Sequence, residues 1–239
     1  MPSKTTLKLI KRLQQKKYRK TENLFVVEGK KSVLEFLKSD FKLRYFYVNE
    51  MEASAFPLAE IASSQEFNQM SGLNTSPDFL AVFEQKNDEL PSKFTQNCLV
   101  LDDIQDPGNF GTIIRLADWF GIEHVICSSD TVDAYNPKVI QASMGSFTRV
   151  KIHYTDVFNF LSNSQIPVYG TFLNGKNIYK EELITPAFIV LGNEANGISE
   201  KIEKLCSHRI TIPGGSATES LNVATAAAIT VGEFYRQSI

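Results

Sequence analysis

The sequence of 239 residues predicts two α/β domains, the second of which is built on a mostly parallel sheet. Strand-like and helix-like segments alternate along most of the chain, as they do where helices connect and cover parallel strands. The stretch KNDELPSKFTQN, residues 86–97, is polar and aperiodic and indicates a linker. We therefore expect residues 1–91 and 92–239 to form separate domains.

The first domain begins with a basic amphipathic segment, in which Leu7, Ile10 and Leu13 recur at helical spacing among lysines. Apolar runs then predict three strands, and amphipathic runs between them predict two helices. The strands are expected at 23–29, 43–50 and 78–85, and the helices at 30–39 and near 61–70.

The second domain begins with CLVLDDI, an apolar run typical of a strand that is buried on both faces. The remaining pattern alternates strands with helices and ends in an alanine-rich helix. Strands are expected at 98–104, 124–129, 150–154, 167–173, 188–192 and 209–212, and helices at 110–120, 136–145 and 157–163.

The composition is that of an ordinary globular protein, with 43% hydrophobic and 22% charged residues. No apolar run approaches the roughly 18 residues that a membrane helix needs, and the basic N-terminus lacks the apolar block of a secretory signal. Cys98, Cys127 and Cys206 are odd in number and widely spaced, which favours neither a disulfide framework nor a zinc site. We therefore expect a cytoplasmic protein with no membrane partner and no metal.

The net charge of −2 hides an uneven distribution of charge. About half of the 25 Lys and Arg residues lie in the first 45 positions, among few acids. Such a segment suits a polyanion such as RNA or DNA. A solvated basic helix without a partner is the alternative.

A first candidate motif is LDDIQDPGNFGTIIRLADWFG, residues 101–121, where a strand ends in acids and a helix follows. Asn109 is predicted to be the N-cap of this helix, and Gly111 and Arg115 lie four residues apart on one helix face. Ligands of open α/β sheets bind at the carboxyl ends of strands, where a guanidinium suits a phosphate or a developing oxyanion. A capped helix with a surface Arg is the alternative.

A second candidate is IVLGNEANGIS, residues 189–199, in which a buried strand ends at Gly192 and Gly197 follows. Glycines here allow a ligand to approach the backbone closely, and Glu194 is able to hold an Arg or a hydroxyl group. The motif is neither a Walker loop nor a dinucleotide-binding fingerprint. An ordinary strand-to-helix turn is the alternative.

The third candidate is TIPGGSATESLNVATAAAI, residues 211–229. Gly214 and Gly215 follow a strand, and Ser220 and Asn222 flank Leu221 where the helix begins and backbone N–H donors are free. A loop followed by a tightly packed helix is the alternative. All three motifs follow strands of the same domain, which favours a common ligand site.

Together these motifs resemble the SpoU/TrmH family of RNA ribose 2′-O-methyltransferases in the SPOUT superfamily. Asn109, Gly111 and Arg115, then LGNEANG, then IP followed by SLNVATAAA, appear in the family's order and span almost all of 99–239. Residues 1–91 resemble, less specifically, the small ribosomal-protein-like RNA-binding domain that precedes many of these enzymes.

The resemblance implies a parallel sheet with a deep trefoil knot, a homodimer, and methyl transfer from S-adenosylmethionine to a ribose 2′-hydroxyl of rRNA or tRNA. It also assigns residues to the cofactor and to catalysis. The implied cofactor contacts are Gly192, Ile212 and Leu221, with Thr171, Phe172, Leu191, Asn193, Gly197 and Pro213 lining the same pocket. The implied catalytic residues are Arg115, Asn109, Glu194, Ser220 and Asn222.

The sequence departs from the family pattern at Gly214, where an apolar residue often follows the Pro, and this leaves the contacts around Pro213 open. Two other functions compete with methyl transfer. A non-catalytic RNA-binding protein with the same fold has no need for all five catalytic candidates. A nucleotide-dependent oxidoreductase is disfavoured by the missing dinucleotide fingerprint.

Overall fold

The computed structural model describes residues 1–73, 75, 77–215 and 219–239. The chain folds into two compact units. The first contains residues 1–87 and 133–148, and the second contains residues 88–132 and 149–239. Within the described ranges, no helix is both long and apolar enough to cross a membrane.

The helices and strands follow the alternation that the sequence predicts. The helices are α1 (Lys4–Arg12), α2 (Lys16–Glu22), α3 (Lys30–Leu37), α4 (Ser64–Met70), α5 (Pro107–Trp119), α6 (Pro137–Ser143), α7 (Val157–Ser162), α8 (Glu200–Glu203) and α9 (Val223–Ser238). The strands are β1 (Leu24–Glu28), β2 (Leu43–Val48), β3 (Glu60–Ile61), β4 (Phe79–Glu84), β5 (Cys98–Asp102), β6 (His124–Cys127), β7 (Lys151–Tyr154), β8 (Val168–Asn177), β9 (Phe188–Gly192) and β10 (His208–Thr211). The short elements β3 and α8 were not predicted from the sequence, because neither is long enough to show a periodic pattern of apolar residues.

The first unit is a four-stranded sheet in the order β1-β4-β2-β3, with β4 antiparallel to β1 and β2. The predicted helix of the basic segment is present as α1 and α2. Ile10 and Leu13 are fully buried against the sheet, as their helical spacing predicts. The Arg19 guanidinium donates to the carbonyl oxygens of Leu13 and Gln14, at 2.9 Å each, and so satisfies acceptors at the end of α1.

Residues 133–148 complete the core of the first unit. The carboxylate of Asp133 accepts two hydrogen bonds from the buried Arg19, at 2.6 and 3.0 Å. The Tyr135 ring lies 4.7 Å from that of Phe25 and 5.3 Å from that of Phe147, measured between centroids. The sequence places α6 in the alternating series of the second domain. The structure packs it with β1 instead, because its flanking aromatic residues fill the first unit's core.

The second unit is a six-stranded, all-parallel sheet in the order β10-β8-β9-β5-β6-β7, as expected for α/β alternation. Cys98 and Val100 of β5 share a core cluster with residues of α7 and α8. Leu99 and Leu101 point to the opposite face and are equally buried. The sheet is therefore covered on both faces, and α5 and α9 pack together within this unit.

Candidate active site

The three motifs meet at one edge of the second unit's sheet. They follow the carboxyl ends of β5, β9 and β10, and β8 lies between β9 and β10 in the strand order. Because the strands are parallel, their carboxyl ends lie along the same edge. Residues 216–218 of the third motif lie outside the described residues.

Helix α5 begins earlier than the sequence predicts. Asp106 is its N-cap and accepts a hydrogen bond from the backbone N–H of Asn109 at 2.8 Å, and Pro107 occupies the first helical position. The prediction that Asn109 caps the helix is therefore wrong. The Asp-Pro pair is a recognised helix start, because Pro has no N–H to leave unsatisfied in the first turn, and it was available in the sequence.

Instead of capping the helix, Asn109 joins the three motifs. Its Nδ2 donates to Oε1 of Glu194 at 3.0 Å, and its Oδ1 accepts from Nδ2 of Asn222 at 2.9 Å. Asn222 is itself the N-cap of α9, since its Oδ1 accepts from the backbone N–H groups of Ala224 and Thr225. One amide therefore ties the start of α5, the loop after β9 and the start of α9 into one hydrogen-bonded unit.

The other two catalytic candidates remain open to solvent. Arg115 is exposed on α5, and among the described residues it has no hydrogen-bond or ion-pair partner. Ser220 is exposed two residues before Asn222, and no described residue bonds to its side chain. The structure thus fixes Asn109, Glu194 and Asn222, whereas the exposed Arg115 guanidinium is engaged by none of the described residues and is accessible to a ligand.

The loop after β9 is folded tightly on itself. Backbone N–H and carbonyl groups of Asn193 and Gly197 bond to each other, at 2.9 Å in both directions, and Gly197 has a φ of +69°. A Cβ added to Gly192 would lie 2.2 Å from the carbonyl carbon of Gly197. Nδ2 of Asn193 donates to the carbonyl oxygen of Asp103 at 2.8 Å, which joins this loop to the end of β5.

Two carboxylates hold these turns in place, Asp102, which was not among the predicted site residues, and Glu194, which was. Asp102 is buried, and its Oδ2 accepts from the backbone N–H of Ser199 at 2.7 Å. Glu194 accepts from the backbone N–H groups of Gln105 and Asp106, both at 3.3 Å. The acids at the end of β5 were visible in the sequence, but their partners lie about 90 residues away along the chain.

The residues expected to line a cofactor pocket lie along the same edge. Leu191 and Gly192 are buried at the end of β9, whereas Ile212, Pro213 and Leu221 are partly or fully exposed. Gly214 and Gly215 are exposed, and a Cβ added to either would meet no described residue within 4 Å. Exposed apolar side chains beside an open backbone suit a flat heterocycle, which needs apolar contact on its faces and hydrogen-bonding groups at its edges.

Thr171 and Phe172 follow the point at which β8 leaves β9. The Thr171 hydroxyl donates to the carbonyl oxygen of Val190 at 3.1 Å.

Among the described residues, no group of three or more His, Cys, Asp or Glu side chains is arranged to hold a metal ion.

Family comparison identifies the class of protein to which this sheet and site belong. The model described as the SpoU rRNA Methylase family matches residues 96–232, which contain all three motifs. The chain belongs to the SpoU rRNA methylase family, which confirms the resemblance seen in the sequence. A second model, described as an MRM3-like substrate binding domain, matches residues 4–81.

Particular relatives match over nearly the whole chain. The 23S rRNA (guanosine(2553)-2′-O)-methyltransferase RlmP of Bacillus subtilis is 30% identical over 230 residues, 92% of each chain. The structure of a putative RNA methyltransferase of the TrmH family from Porphyromonas gingivalis superposes with a TM-score of 0.90 at 37% identity, covering 99% of both chains. An AdoMet-bound rRNA methyltransferase from Sinorhizobium meliloti gives 0.88 at 25% identity, covering 100% of this chain and 98% of the other.

Proposed function

We propose that this chain is an enzyme that transfers a methyl group from S-adenosylmethionine to a ribose 2′-hydroxyl of structured RNA, either rRNA or tRNA. The observation that carries the proposal is the hydrogen-bonded unit of Asn109, Glu194 and Asn222. Its Asn109 lies on α5, the helix that also bears an exposed Arg115 without a partner among the described residues. Membership of the SpoU family and the names of its relatives support the same reaction.

Each proposed catalytic residue has a role that follows from its chemistry. A ribose hydroxyl is a poor nucleophile and requires positioning and stabilisation of the charge that develops on its oxygen. Arg remains protonated in proteins, so Arg115 is assigned to hold the adjacent phosphate and to stabilise the developing alkoxide. Asn109, Glu194 and Asn222 keep the ends of α5 and α9 in register, and Ser220 is assigned to orient the hydroxyl.

The turns at the sheet edge suit the cofactor because they offer apolar side chains beside accessible backbone. S-adenosylmethionine, when bound, supplies the electrophilic methyl group. The assigned contacts are Gly192, Ile212 and Leu221, with Thr171, Phe172, Leu191, Asn193, Gly197 and Pro213 around them. The open backbone at Gly214 gives room at the position where the sequence departs from the family pattern.

We further assign residues 1–91 to RNA substrate binding and residues 92–239 to the knotted catalytic domain, apart from residues 133–148, which pack in the first unit, with the reducing cytoplasm as the setting. Membership of the SpoU family supports the trefoil knot. The match of residues 4–81 to a substrate-binding domain supports the first assignment.

Transfer of labelled methyl groups tests the proposal directly. The purified chain is incubated with S-adenosylmethionine labelled in its methyl group and with bacterial total RNA, and the labelled RNA is then mapped for 2′-O-methyl nucleotides. Label at a ribose 2′-oxygen supports the reaction. RNA that is bound but unlabelled, under conditions in which a known methyltransferase labels it, would instead favour the non-catalytic RNA-binding alternative.

Neutralising cations of α2 is expected to weaken RNA binding. Lys16 and Lys20 are exposed four residues apart, on one helix face, so both are able to reach phosphates of one strand. In the double variant Lys16→Gln, Lys20→Gln we expect affinity at about 0.1 M salt to fall tenfold or more, and the slope of log K against log salt to shrink by about 1.5. Filter binding or fluorescence anisotropy at several salt concentrations measures both quantities.

The control for this prediction changes the charge equally in the same unit. Lys30 and Lys42 already pair with Glu52 and Glu84, at 2.7 and 3.2 Å. The variant Lys30→Gln, Lys42→Gln should therefore bind RNA nearly as tightly as the wild type. Equal losses in both variants would show that only net charge matters and would contradict a specific role for α2.

The exposed face of the α5–α9 pair is our assignment for the homodimer contact. Trp119 at the end of α5 is 82% exposed and Tyr235 of α9 is 46% exposed, which is unusual for large aromatic side chains. We expect sedimentation equilibrium to give twice the chain mass of 26.8 kDa, and Trp119→Glu to shift the equilibrium towards the monomer. Trp119→Phe, which keeps an apolar ring, should remain dimeric. A wild-type mass of one chain would contradict the assignment.

A further inference from the structure

An irregular section of β8 lies beside the proposed cofactor pocket. On β10, Arg209 pairs with Gly170 and the next residue, Ile210, pairs with Lys176. An advance of one residue along β10 therefore corresponds to an advance of six residues along β8, and residues 171–175 have no pairing partner on β10. We call these residues the 171–175 bulge. It begins with Thr171 and Phe172, which the proposed function places at the cofactor.

The bulge is held against its neighbours at both ends. The Thr171 hydroxyl donates to the carbonyl oxygen of Val190, and the Thr211 hydroxyl donates to that of Leu173, at 3.1 Å in each case. A Cβ added to Gly175 would lie 2.8 Å from the carbonyl carbon of Ile210, so the chain returns directly onto the backbone of β10.

Between these points, the Phe172 side chain packs against the core of the second unit and stacks with Arg209 of β10. The Phe172 ring folds back over Gly170, where an added Cβ would lie 2.4 Å from the ring. The guanidinium carbon of Arg209 lies 3.8 Å from the centre of the same ring, on β10. Glu203 of α8 forms an ion pair with Arg209 and fixes the guanidinium over the ring.

This packing determines what the bulge is able to offer a ligand. With its ring held between Gly170 and Arg209, Phe172 contributes backbone groups to the pocket, and its aromatic face is already occupied. Correct placement of those backbone groups then requires the stack to be intact. A cation–π contact of this kind favours one arrangement over looser alternatives.

We infer that Arg209 is a positioning residue, which holds the 171–175 bulge in the conformation that binds the cofactor by stacking on Phe172 with Glu203 as its anchor. The inference rests on the proposed function, because it assigns the cofactor to this edge of the sheet. Arg209 does not touch the reacting atoms in this scheme. Arg209 raises cofactor affinity because it increases the fraction of molecules in which the bulge has the binding conformation, and the apparent affinity is proportional to that fraction.

The test measures binding of S-adenosylhomocysteine to the full chain by calorimetry. A cation–π contact at an exposed site changes an equilibrium about two- to fivefold, so Arg209→Met is expected to raise the dissociation constant by about that factor. Arg209→Lys keeps the charge but loses the planar stack and should give an intermediate value. Glu203→Gln, which removes only the anchor, should raise the dissociation constant by a smaller factor. Amide hydrogen exchange in 171–175 should quicken in the order of the affinity loss.

Lys176→Gln is the matched control, since it breaks an exposed ion pair with Glu181, 3.2 Å apart, on the same strand and should leave binding unchanged. At saturating cofactor, kcat of Arg209→Met should stay within about twofold of the wild type, because affinity alone has changed.

Unchanged affinity in Arg209→Met would overturn the inference, even with a lower melting temperature. So would a loss confined to RNA binding, which would identify Arg209 as a phosphate contact. A wild-type chain that does not bind the probe would refute the proposed function and this inference with it.

Discussion

Replacing Arg115 by Ala is expected to lower the rate of methyl transfer by at least about 100- to 1,000-fold, the usual cost of removing one donor to a developing oxyanion. The guanidinium is exposed and has no partner among the described residues, so its removal breaks no structural contact within them. Cofactor affinity and melting temperature should therefore stay near wild-type values. Single-turnover transfer to RNA, calorimetry with S-adenosylhomocysteine and thermal unfolding measure the three quantities.

Two further variants make this prediction specific. Arg115→Lys retains the charge but not the planar donor pair, and it should recover only part of the rate. Arg149→Ala removes an Arg whose guanidinium donates two hydrogen bonds to Asp118 of α5, at 2.8 and 2.9 Å. This variant should retain a high rate of methyl transfer. Near-normal turnover in Arg115→Ala would refute the catalytic assignment of this residue.

Gly192→Ala is expected to cause the largest loss of stability among the variants considered for the site. The added Cβ would lie 2.2 Å from both the carbonyl carbon of Gly197 and the backbone nitrogen of Ile198, and neither backbone atom is able to move away without opening the loop. We expect the free energy of unfolding to fall by about 3 kcal/mol or more, beyond the usual range for overpacking. Methyl transfer should be lost as well, because Glu194 lies in the displaced loop.

Gly214→Ala provides the matched control for stability. It adds the same methyl group at the same edge of the sheet, in a position where no atom of the described residues lies within 4 Å. Its free energy of unfolding should change by no more than about 0.5 kcal/mol. Urea unfolding of both variants decides the matter, and a Gly192→Ala protein as stable as Gly214→Ala would show that the loop tolerates a side chain.

Local sequence patterns predicted the helices and strands well, because the spacing of apolar residues within a segment depends on the secondary structure of that same segment. The continuous apolar run of CLVLDDI predicted a doubly buried strand, and β5 is buried throughout. The spacing of Ile10 and Leu13 predicted their burial in the same way. Even the start of α5 is encoded locally, at Asp106 and Pro107, three residues before the predicted start at Phe110.

Long-range relationships could not be read from such patterns. Asn109 bonds to residues 85 and 113 positions away along the chain, and no periodicity links them. The positions of the three motifs after strands of one domain indicated a common site, and the family resemblance assigned these residues to catalysis, but neither predicted the bonds between them. The order β8-β9-β5, in which β9 returns between earlier strands, and the placement of α6 in the first unit depend equally on tertiary packing. Their physical cause is the burial of side chains that are distant in sequence.

The interleaving of residues 133–148 with the first unit has a consequence for biosynthesis. When residue 87 has been added to the growing chain, the buried Arg19 still lacks Asp133, and the Phe25 ring still lacks Tyr135 and Phe147. A ribosome adding about 5–20 residues per second needs several more seconds to supply them. During that interval the strands β5 and β6 emerge before the earlier unit is able to close its core. Completion of the N-terminal unit therefore waits on translation of the C-terminal half.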